Sequence, residues 1–294
     1  MSYDTSQKFT LFDARLHRNS SLGRQAHCFN IEKNPHKTPN ICGLTVNHRN
    51  DIVLMDGKAQ RLKTFRYSGT QRHQFGSTLF SKIFVQPKDV AILSNRNIAI
   101  ADPGDGVAKI YDRTGHYLLQ CGRDLLMSPC SVTTNHKGEI LLLDSYLRQV
   151  HFFTPHGHHL RHIPIEITQE MDDDCYIAVN KFNGDILLSD NIGNKVKAFS
   201  QKGELLWEQC GLEEGQVQML DPCGICSDIY GNVFVAEKNN YKVTMLSHDG
   251  TFKGYIATED NKIDVPQVVA IDNYGQLVVG EAYSGKVKFF TYQP

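Results

Sequence analysis

Acidic residues recur along this chain at nearly constant spacing, and carboxylates commonly serve as general acids and bases or as metal ligands. Six such residues, here called the anchors, are Asp56, Asp102, Asp144, Asp190, Glu237 and Glu281. Successive anchors lie 46, 42, 46, 47 and 44 residues apart. Catalysis would need one or two carboxylates, whereas these recur in every copy of a repeat. We therefore predict a structural role, in which each anchor accepts hydrogen bonds from backbone N–H groups of nearby loops.

Histidine and cysteine also occur in groups that could hold a metal. The histidines are His151, His156, His158, His159 and His162, and the cysteines form the pair Cys223-x-x-Cys226. A zinc site needs several converging ligands, and an isolated C-x-x-C lacks the second pair that zinc motifs carry. We expect most of the histidines to be solvated residues of a turn. The sequence thus predicts no metal and no cofactor.

A fixed frame of other residues surrounds the anchors. Thirteen residues after each of the first five anchors stands a glycine, and short apolar runs precede every anchor. These runs have the length and composition of β-strands bounded by turns. Each copy therefore contains strand a, a turn, strand b, a loop, strand c, a glycine turn and strand d. Six four-stranded antiparallel units of this length predict an all-β fold, the six-bladed β-propeller.

The last copy ends after strand c, at residues 286–290, so its outer strand must come from elsewhere. The first 38 residues contain two apolar segments, Phe9–Arg15 and Ala26–Ile31. We predict that one of them closes the ring as the outer strand of blade six, which would remove exposed strand edges. The alternative is a disordered leader. The domain organisation is then a leader at 1–38 and six blades at 39–294, forming a single propeller.

In an antiparallel meander, the b–c and d–a loops emerge at one end of the ring, here called the loop end. The a–b and c–d turns emerge at the other, the turn end. The longer loops make the loop end the predicted binding face. Its candidate partner-binding residues are Lys58, Arg61, Lys82, Lys88, Arg123, Tyr146, Arg148, Lys195, Tyr241, Lys242, Tyr283 and Lys286. Alternatively, the cations five residues after an anchor bond to loops of their own blade.

Tyrosine interleaved with lysine and arginine fits two kinds of surface. Unpaired RNA bases stack on aromatic rings while cations contact phosphates. Tyrosine and arginine are also enriched at the energetic centres of protein–protein interfaces. The residue types therefore leave both partner classes open.

Charge is unevenly distributed, although the net charge of the 294 residues is only −1. Residues 1–147 contain 19 basic and 12 acidic side chains, and residues 148–294 contain 12 and 20. The acidic half includes Asp172–Asp174, Glu213, Glu214, Asp221 and the segment 259–264. Such a ring could orient a charged partner, or the asymmetry could belong to an ordinary solvated surface.

No apolar run approaches the 18 residues of a membrane span, and the N-terminus lacks an apolar signal core. We therefore predict no membrane association. The eight cysteines are expected to be free thiols, since Cys121 and Cys210 stand where a blade-one phenylalanine stands. Free thiols favour a cytoplasmic protein.

Blade five carries the clearest motif: Pro-Cys-Gly-Ile at 222–225, Gly-Asn-Val-Phe-Val-Ala-Glu at 231–237 and Asn-Tyr-Lys-Val at 240–243. This pattern resembles the NHL repeat, and the resemblance covers all six copies from about Pro39 to Phe290. Blade four departs from it, with Cys175 in place of the proline. Blade two has Gly-Asp-Gly at 104–106, and lysine replaces the usual arginine at Lys195, Lys242 and Lys286.

The whole ring resembles the C-terminal domain of TRIM-NHL proteins. That resemblance implies a non-catalytic platform recruiting protein partners or substrates for a RING-type ubiquitin ligase module outside this chain, with Met1-Ser2 possible cloning residues. The alternative it implies is an RNA-binding domain using the basic loops of blades one to three. An enzyme with a central metal site is a third reading. The small, apolar strand-a residues disfavour it, so no small-molecule substrate is expected.

Overall fold

The chain folds into six four-stranded antiparallel sheets, as a computed structural model describes for residues 21–32, 34, 36–78, 80–166, 175–210 and 219–293. Blade one consists of β2 (Ile41–Val46), β3 (Ile52–Asp56), β4 (Arg61–Phe65) and β5 (Gln71–Gly76). Blade two consists of β6 (Asp89–Ile92), β7 (Ile98–Asp102), β8 (Val107–Tyr111) and β9 (Tyr117–Cys121). Blade three consists of β10 (Pro129–Thr134), β11 (Ile140–Asp144), β12 (Gln149–Phe153) and β13 (His159–Pro164).

The remaining blades follow the same order. Blade four consists of β14 (Tyr176–Val179), β15 (Ile186–Asp190), β16 (Lys195–Phe199) and β17 (Leu205–Gln209). Blade five consists of β18 (Pro222–Ser227), β19 (Val233–Glu237), β20 (Lys242–Leu246) and β21 (Phe252–Ala257). Blade six consists of β22 (Pro266–Ile271), β23 (Leu277–Glu281), β24 (Lys286–Thr291) and the N-terminal β1 (Arg24–Asn30). Short 3-10 turns occur at Pro103–Asp105, Lys238–Asn240 and Glu259–Asn261.

The innermost strands close the ring. Each strand a contacts the strands a of both neighbouring blades, in the order β2, β6, β10, β14, β18, β22 and back to β2. Every strand b ends on its anchor and is buried along its whole length. Such a strand packs on both faces, which explains the continuous apolar runs in the sequence. The prediction of an all-β, six-bladed propeller is confirmed.

The core lies between blades rather than at one centre. Leu143 and Phe152 of blade three, for example, pack with Ile177 and Leu188 of blade four in one continuous cluster. Each blade therefore buries its apolar side chains only when its neighbours are present.

The predicted ring closure is confirmed, and the closing strand is the second of the two candidate segments. β1 pairs antiparallel with β24, with Phe29 opposite Val287. The Phe29 ring lies 5.5 Å from that of Phe65 in blade one and 6.0 Å from that of Phe289 in blade six. β1 thus joins the first and last blades. The other candidate segment, Phe9–Arg15, lies outside the described residues.

Within the part of the chain that the structure describes, no helix is long and apolar enough to cross a membrane.

Candidate functional site

The anchors bind backbone groups of the loop end. Asp102 is fully buried and accepts hydrogen bonds from the backbone N–H groups of Val85 (3.0 Å) and Gln86 (2.8 Å) in the preceding d–a loop. Asp56 likewise accepts from Asn40 and Ala59. The other four anchors each accept at least one backbone N–H bond. These carboxylates hold the b–c and d–a loops of their blades, and none faces solvent.

A second repeated position, seven residues after each anchor, is occupied by lysine in four blades. The residues are Lys63, Lys109, Lys197 and Lys288, with His151 and Thr244 in the other two blades. Lys63 contacts Asp56 at 2.8 Å, Lys109 contacts Asp102 at 2.8 Å and Lys288 contacts Glu281 at 2.6 Å, all buried. Sequence reasoning missed these internal ion pairs, although the constant spacing would have revealed them.

The fourth residue after each anchor adopts left-handed backbone geometry. In blades two and six it is glycine, but Arg148 and Tyr241 occupy it with φ of 56° and 52°. This conformation disfavours larger residues. The b–c loop is therefore a tight, fixed turn in every blade, with a conserved shape rather than a conserved sequence.

The second residue after each anchor lies at the tip of this turn and is exposed in all six blades. We call these the crown positions: Lys58, Gly104, Tyr146, Ile192, Asn239 and Tyr283. Tyr146 is 72% exposed and Tyr283 is 54% exposed. The repeat fixes the backbone here but not the side chain, so the crown can differ from blade to blade without disturbing the fold.

The predicted cations lie on the b–c and d–a loops or at the adjoining strand ends, but several are engaged within their own blade. Arg61 donates to the Ser77 carbonyl, Lys195 binds Glu208 at 2.7 Å, and Lys242 lies over the Tyr255 ring. Lys58 donates to Thr38, and Arg123 to Gln120. The structure thus favours the alternative in which cations at the fifth position support their own blade, with Lys286 the exposed exception.

The loop end carries both signs of charge. Exposed basic residues in blades one to three include Lys58, Lys82, Arg123 and Arg148, whereas Lys88 is half-buried. The loop between blades five and six exposes Glu259, Asp260 and Asp264, and Asp221 is half-buried. Asp172–Asp174, Glu213 and Glu214 lie outside the described residues. Exposed Met127, which the sequence reasoning missed, adds apolar surface.

The central channel is narrow and bridged. Its cavity measures about 440 Å³ and is lined by the six inner strands. The Tyr176 hydroxyl of blade four donates to the Cys42 carbonyl of blade one at 2.8 Å and accepts from the Gln267 amide of blade six at 3.2 Å. Buried Asp89 is also there, but it accepts from Val90 N–H, the Ser131 hydroxyl and Val132 N–H, which links blades two and three.

Burial raises the pKa of Asp89 to about 6, against 3.8 for the free side chain. A folded-state pKa above the unfolded value means that the folded protein binds the extra proton, so stability falls as pH rises through this window. Relative to Asp89→Asn, the wild-type chain should lose about 2–3 kcal/mol of unfolding free energy between about pH 3.5 and pH 7. Urea denaturation of both proteins across this range measures the difference. If the unfolding free energies of the two proteins changed with pH in the same way, the raised pKa of Asp89 would be contradicted.

The turn end exposes side chains that the sequence reasoning gave no role. Phe182, Ile229, Tyr230 and Tyr274 on the a–b turns of blades four to six are 60%, 68%, 63% and 80% exposed. On turns of blades one and two at the same end, His48 lies near three arginines. Burial, and then the positive charges of Arg96, Arg49 and Arg113, lower the pKa of His48. The turn end therefore provides a second surface against which binding at the loop end can be tested.

Four of the five clustered histidines are exposed, in line with the expectation that most are solvated, although His159 and His162 lie on β13 rather than in the turn. His156 and His158 are exposed, as expected, but His151 lies on β12 and is only 1% exposed. The two cysteines of the C-x-x-C pair pack into different core clusters. Burial raises the pKa of Cys226 to about 12, so its thiol stays protonated near neutral pH.

All eight cysteines are free thiols, as the sequence suggested.

No family model matches the chain. The chain is 25% identical over 254 residues to the E3 ubiquitin-protein ligase NHLRC1 of Rattus norvegicus, covering 81% of this chain and 63% of the relative. It is 27% identical over 118 residues to the protein brain tumor of Drosophila melanogaster, covering 39% of this chain and 11% of the relative. This chain thus spans less than two thirds of the length of either relative.

Among solved structures, a gluconolactonase from Xanthomonas campestris superposes with a TM-score of 0.66 and 15% identity, covering 94% of this chain and 96% of the enzyme. At this identity the likeness shows the fold alone. Both sequence relatives are NHL-repeat proteins. The repeat frame and the closed ring show a six-bladed β-propeller, and the chain is similar in sequence to these NHL-repeat relatives.

Proposed function

We propose that this propeller is a non-catalytic platform that binds protein partners at its loop end. The observation that carries the proposal is the crown, which is exposed in all six blades while its residue type changes from blade to blade. The anchors and the lysines seven residues after them are buried within the blades. A rigid scaffold with variable exposed tips suits selective recognition.

Tyr146 and Tyr283 are the proposed main contacts. Tyrosine offers a large apolar surface, a polar hydroxyl and few side-chain torsions to immobilise, which explains its enrichment in binding sites. Met127 and Ile192 at the same end are 58% and 39% exposed and extend the apolar area. The repeat frame requires an apolar side chain at neither crown tyrosine, so folding does not account for them.

The charge pattern would orient the partner. Lys58, Arg123 and Arg148 lie on one side of the loop end, and Glu259 and Asp260 on the other. A protein with the opposite arrangement would be steered into one orientation, and salt would slow association more than it would weaken the bound complex.

The relatives extend the proposal beyond this chain. One of them is named as an E3 ubiquitin-protein ligase. We therefore place a ligase module outside this chain and assign to the propeller the recruitment of its protein substrates, in the cytoplasm. The bridged channel, in which Asp89 accepts three hydrogen bonds from the protein, supports a recognition role rather than catalysis.

A photo-crosslinking amino acid at position 146 tests the proposal in cells, and the same residue at position 274 is the matched control. Both positions hold exposed tyrosines, but on opposite ends of the ring. We expect protease-sensitive, nuclease-resistant adducts from position 146 that are absent from position 274. Adducts from position 274 alone would overturn the assignment of the loop end, and adducts removed by nuclease would overturn the partner class.

RNA is the second candidate partner, because Lys82, Arg123 and Arg148 are exposed at the same end of the ring as Tyr146. Against it, Arg61, Lys195 and Lys242 are engaged within their own blades. Phosphate contacts make affinity fall steeply with salt. Binding to a pool of short single-stranded and hairpin RNAs, at low and high salt, therefore discriminates the candidates.

A variant in which Lys58, Arg61 and Arg148 are all alanine serves as the control for that measurement. Micromolar binding that weakens with salt and with the variant would establish RNA as the ligand. The protein-recruitment proposal predicts no such binding even at low salt.

A further inference from the structure

Three histidines meet on one face of the outer strand pair of blade three. His151 on β12 lies directly opposite His162 on β13. Residues three apart on a regular strand point to opposite faces, but the register of this pair shifts between Phe152 and Phe153. The bulge returns His159 to the side of His162, and their rings stack with centroids 6.2 Å apart.

The distances fit a small cation. His151 Nδ1 lies 3.4 Å from His159 Nε2. Two nitrogen ligands at tetrahedral angles, each about 2.0–2.1 Å from zinc, are separated by about 3.3–3.4 Å. One ring nitrogen from each of the three histidines lies within 4.8 Å of the others. Because His159 and His162 are exposed, small side-chain rotations can bring the third nitrogen into range.

His151 has a polar atom that the fold leaves unsatisfied. Its ring is 1% exposed, and its Nδ1 atom faces His159, whereas its Nε2 atom has no hydrogen-bond partner among the described residues.

The position of His151 in the repeat supports a special role. It stands seven residues after the anchor Asp144, where four other blades carry a buried lysine. Asp144 interacts electrostatically with the His151 ring.

We propose that His151, His159 and His162 form a binding site for a divalent late transition metal, best met by zinc, with water completing the coordination. The ion would join strand d of blade three to strand c at its outer edge. This site revises the sequence-based expectation that the chain has no metal site. It lies away from the crown and does not depend on the proposed function.

The test titrates the untagged protein with Zn²⁺ by calorimetry and with Co²⁺ by visible absorption. His159→Ala and His162→Ala remove exposed ligands without disturbing the core. His156→Ala and His158→Ala, in the turn of the same hairpin, are matched controls. We expect one ion per chain, a tetrahedral Co²⁺ spectrum and at least a tenfold loss of affinity in each ligand variant but not in the controls.

Two results would overturn the proposal. One is the absence of binding at micromolar metal in the wild-type protein, and the other is equal weakening by the control variants. Circular dichroism of every variant separates loss of metal binding from loss of folding.

Discussion

A chain that begins at Pro39 is expected to lose cooperative folding, whereas a chain that begins at Ser21 keeps it. The longer chain retains β1, and the shorter chain lacks it. Without β1 the edge of β24 is open, and Phe65 and Phe289 lose the ring that packs between them. Removing a fully buried aromatic side chain costs about 3–5 kcal/mol; Phe29 is only partly buried, but the whole β1–β24 strand pairing is lost with it, and whole domains are stable by about 5–15 kcal/mol.

The stability lost by removing β1 should therefore approach the entire unfolding free energy of the ring. Thermal unfolding followed by circular dichroism, with dye binding as a measure of exposed apolar surface, compares the two chains. We expect a broad transition and strong dye binding for the Pro39 chain. A synthetic peptide spanning residues 21–32 should restore part of the transition by adding the missing strand in trans. Equally sharp thermal transitions at the same temperature for the two chains would show that β1 does not contribute to the stability of the ring.

Replacing the blade-one anchor, Asp56→Ala, is expected to destabilise the protein by about 3–5 kcal/mol, because it leaves the buried Lys63 ammonium unpaired. Asp56 uses its two oxygens differently. Oδ1 accepts the N–H groups of Asn40 and Ala59, and Oδ2 contacts Lys63 at 2.8 Å. Asp56→Asn can keep the first set while removing the ion pair, so the two variants separate loop support from charge pairing.

Urea denaturation of four variants measures these contributions. Adding Lys63→Met to Asp56→Asn removes the uncompensated charge, so the double variant should be more stable than Asp56→Asn alone. Asp260→Ala, at an exposed position of the loop end, is the control and should change stability by no more than about 0.5 kcal/mol. A double variant no more stable than Asp56→Asn alone would show that removing the lysine charge relieves nothing, which would contradict the buried ion pair.

The repeat made most of the fold predictable. Anchor spacing, the glycine thirteen residues later and the short apolar runs together specify four strands per copy, and strand b of each blade ends at its anchor. Ring closure was predictable because an incomplete last blade leaves an edge that some segment must cover. The sequence could not choose between Phe9–Arg15 and Ala26–Ile31, since both are short and apolar.

The site was less predictable because burial depends on how blades meet. Lys63, Lys109 and Lys288 look like surface cations in the sequence, yet they are buried on their anchors. Asp89 and Tyr176 contact residues of neighbouring or distant blades, and no local pattern signals such contacts. The sequence predicts a turn position for His151 because it lies close to His156 and His158 along the chain. Strand alternation along β12 instead places its side chain in the core.

The central claim is that a protein partner binds the crown tyrosines. Its most direct test uses the partner protein identified by crosslinking, purified without the crosslink, and measures its dissociation constant for the propeller by calorimetry. The variant Tyr146→Ala/Tyr283→Ala is compared with Tyr274→Ala and with the wild-type chain. Removing an interface hot spot costs about 2 kcal/mol or more, which is about 30-fold in affinity, so the crown variant with both tyrosines removed should bind at least about 30-fold more weakly. Tyr274→Ala should bind within twofold of wild type. Unchanged affinity in the crown variant, or a comparable loss in Tyr274→Ala, would contradict recognition at the loop end.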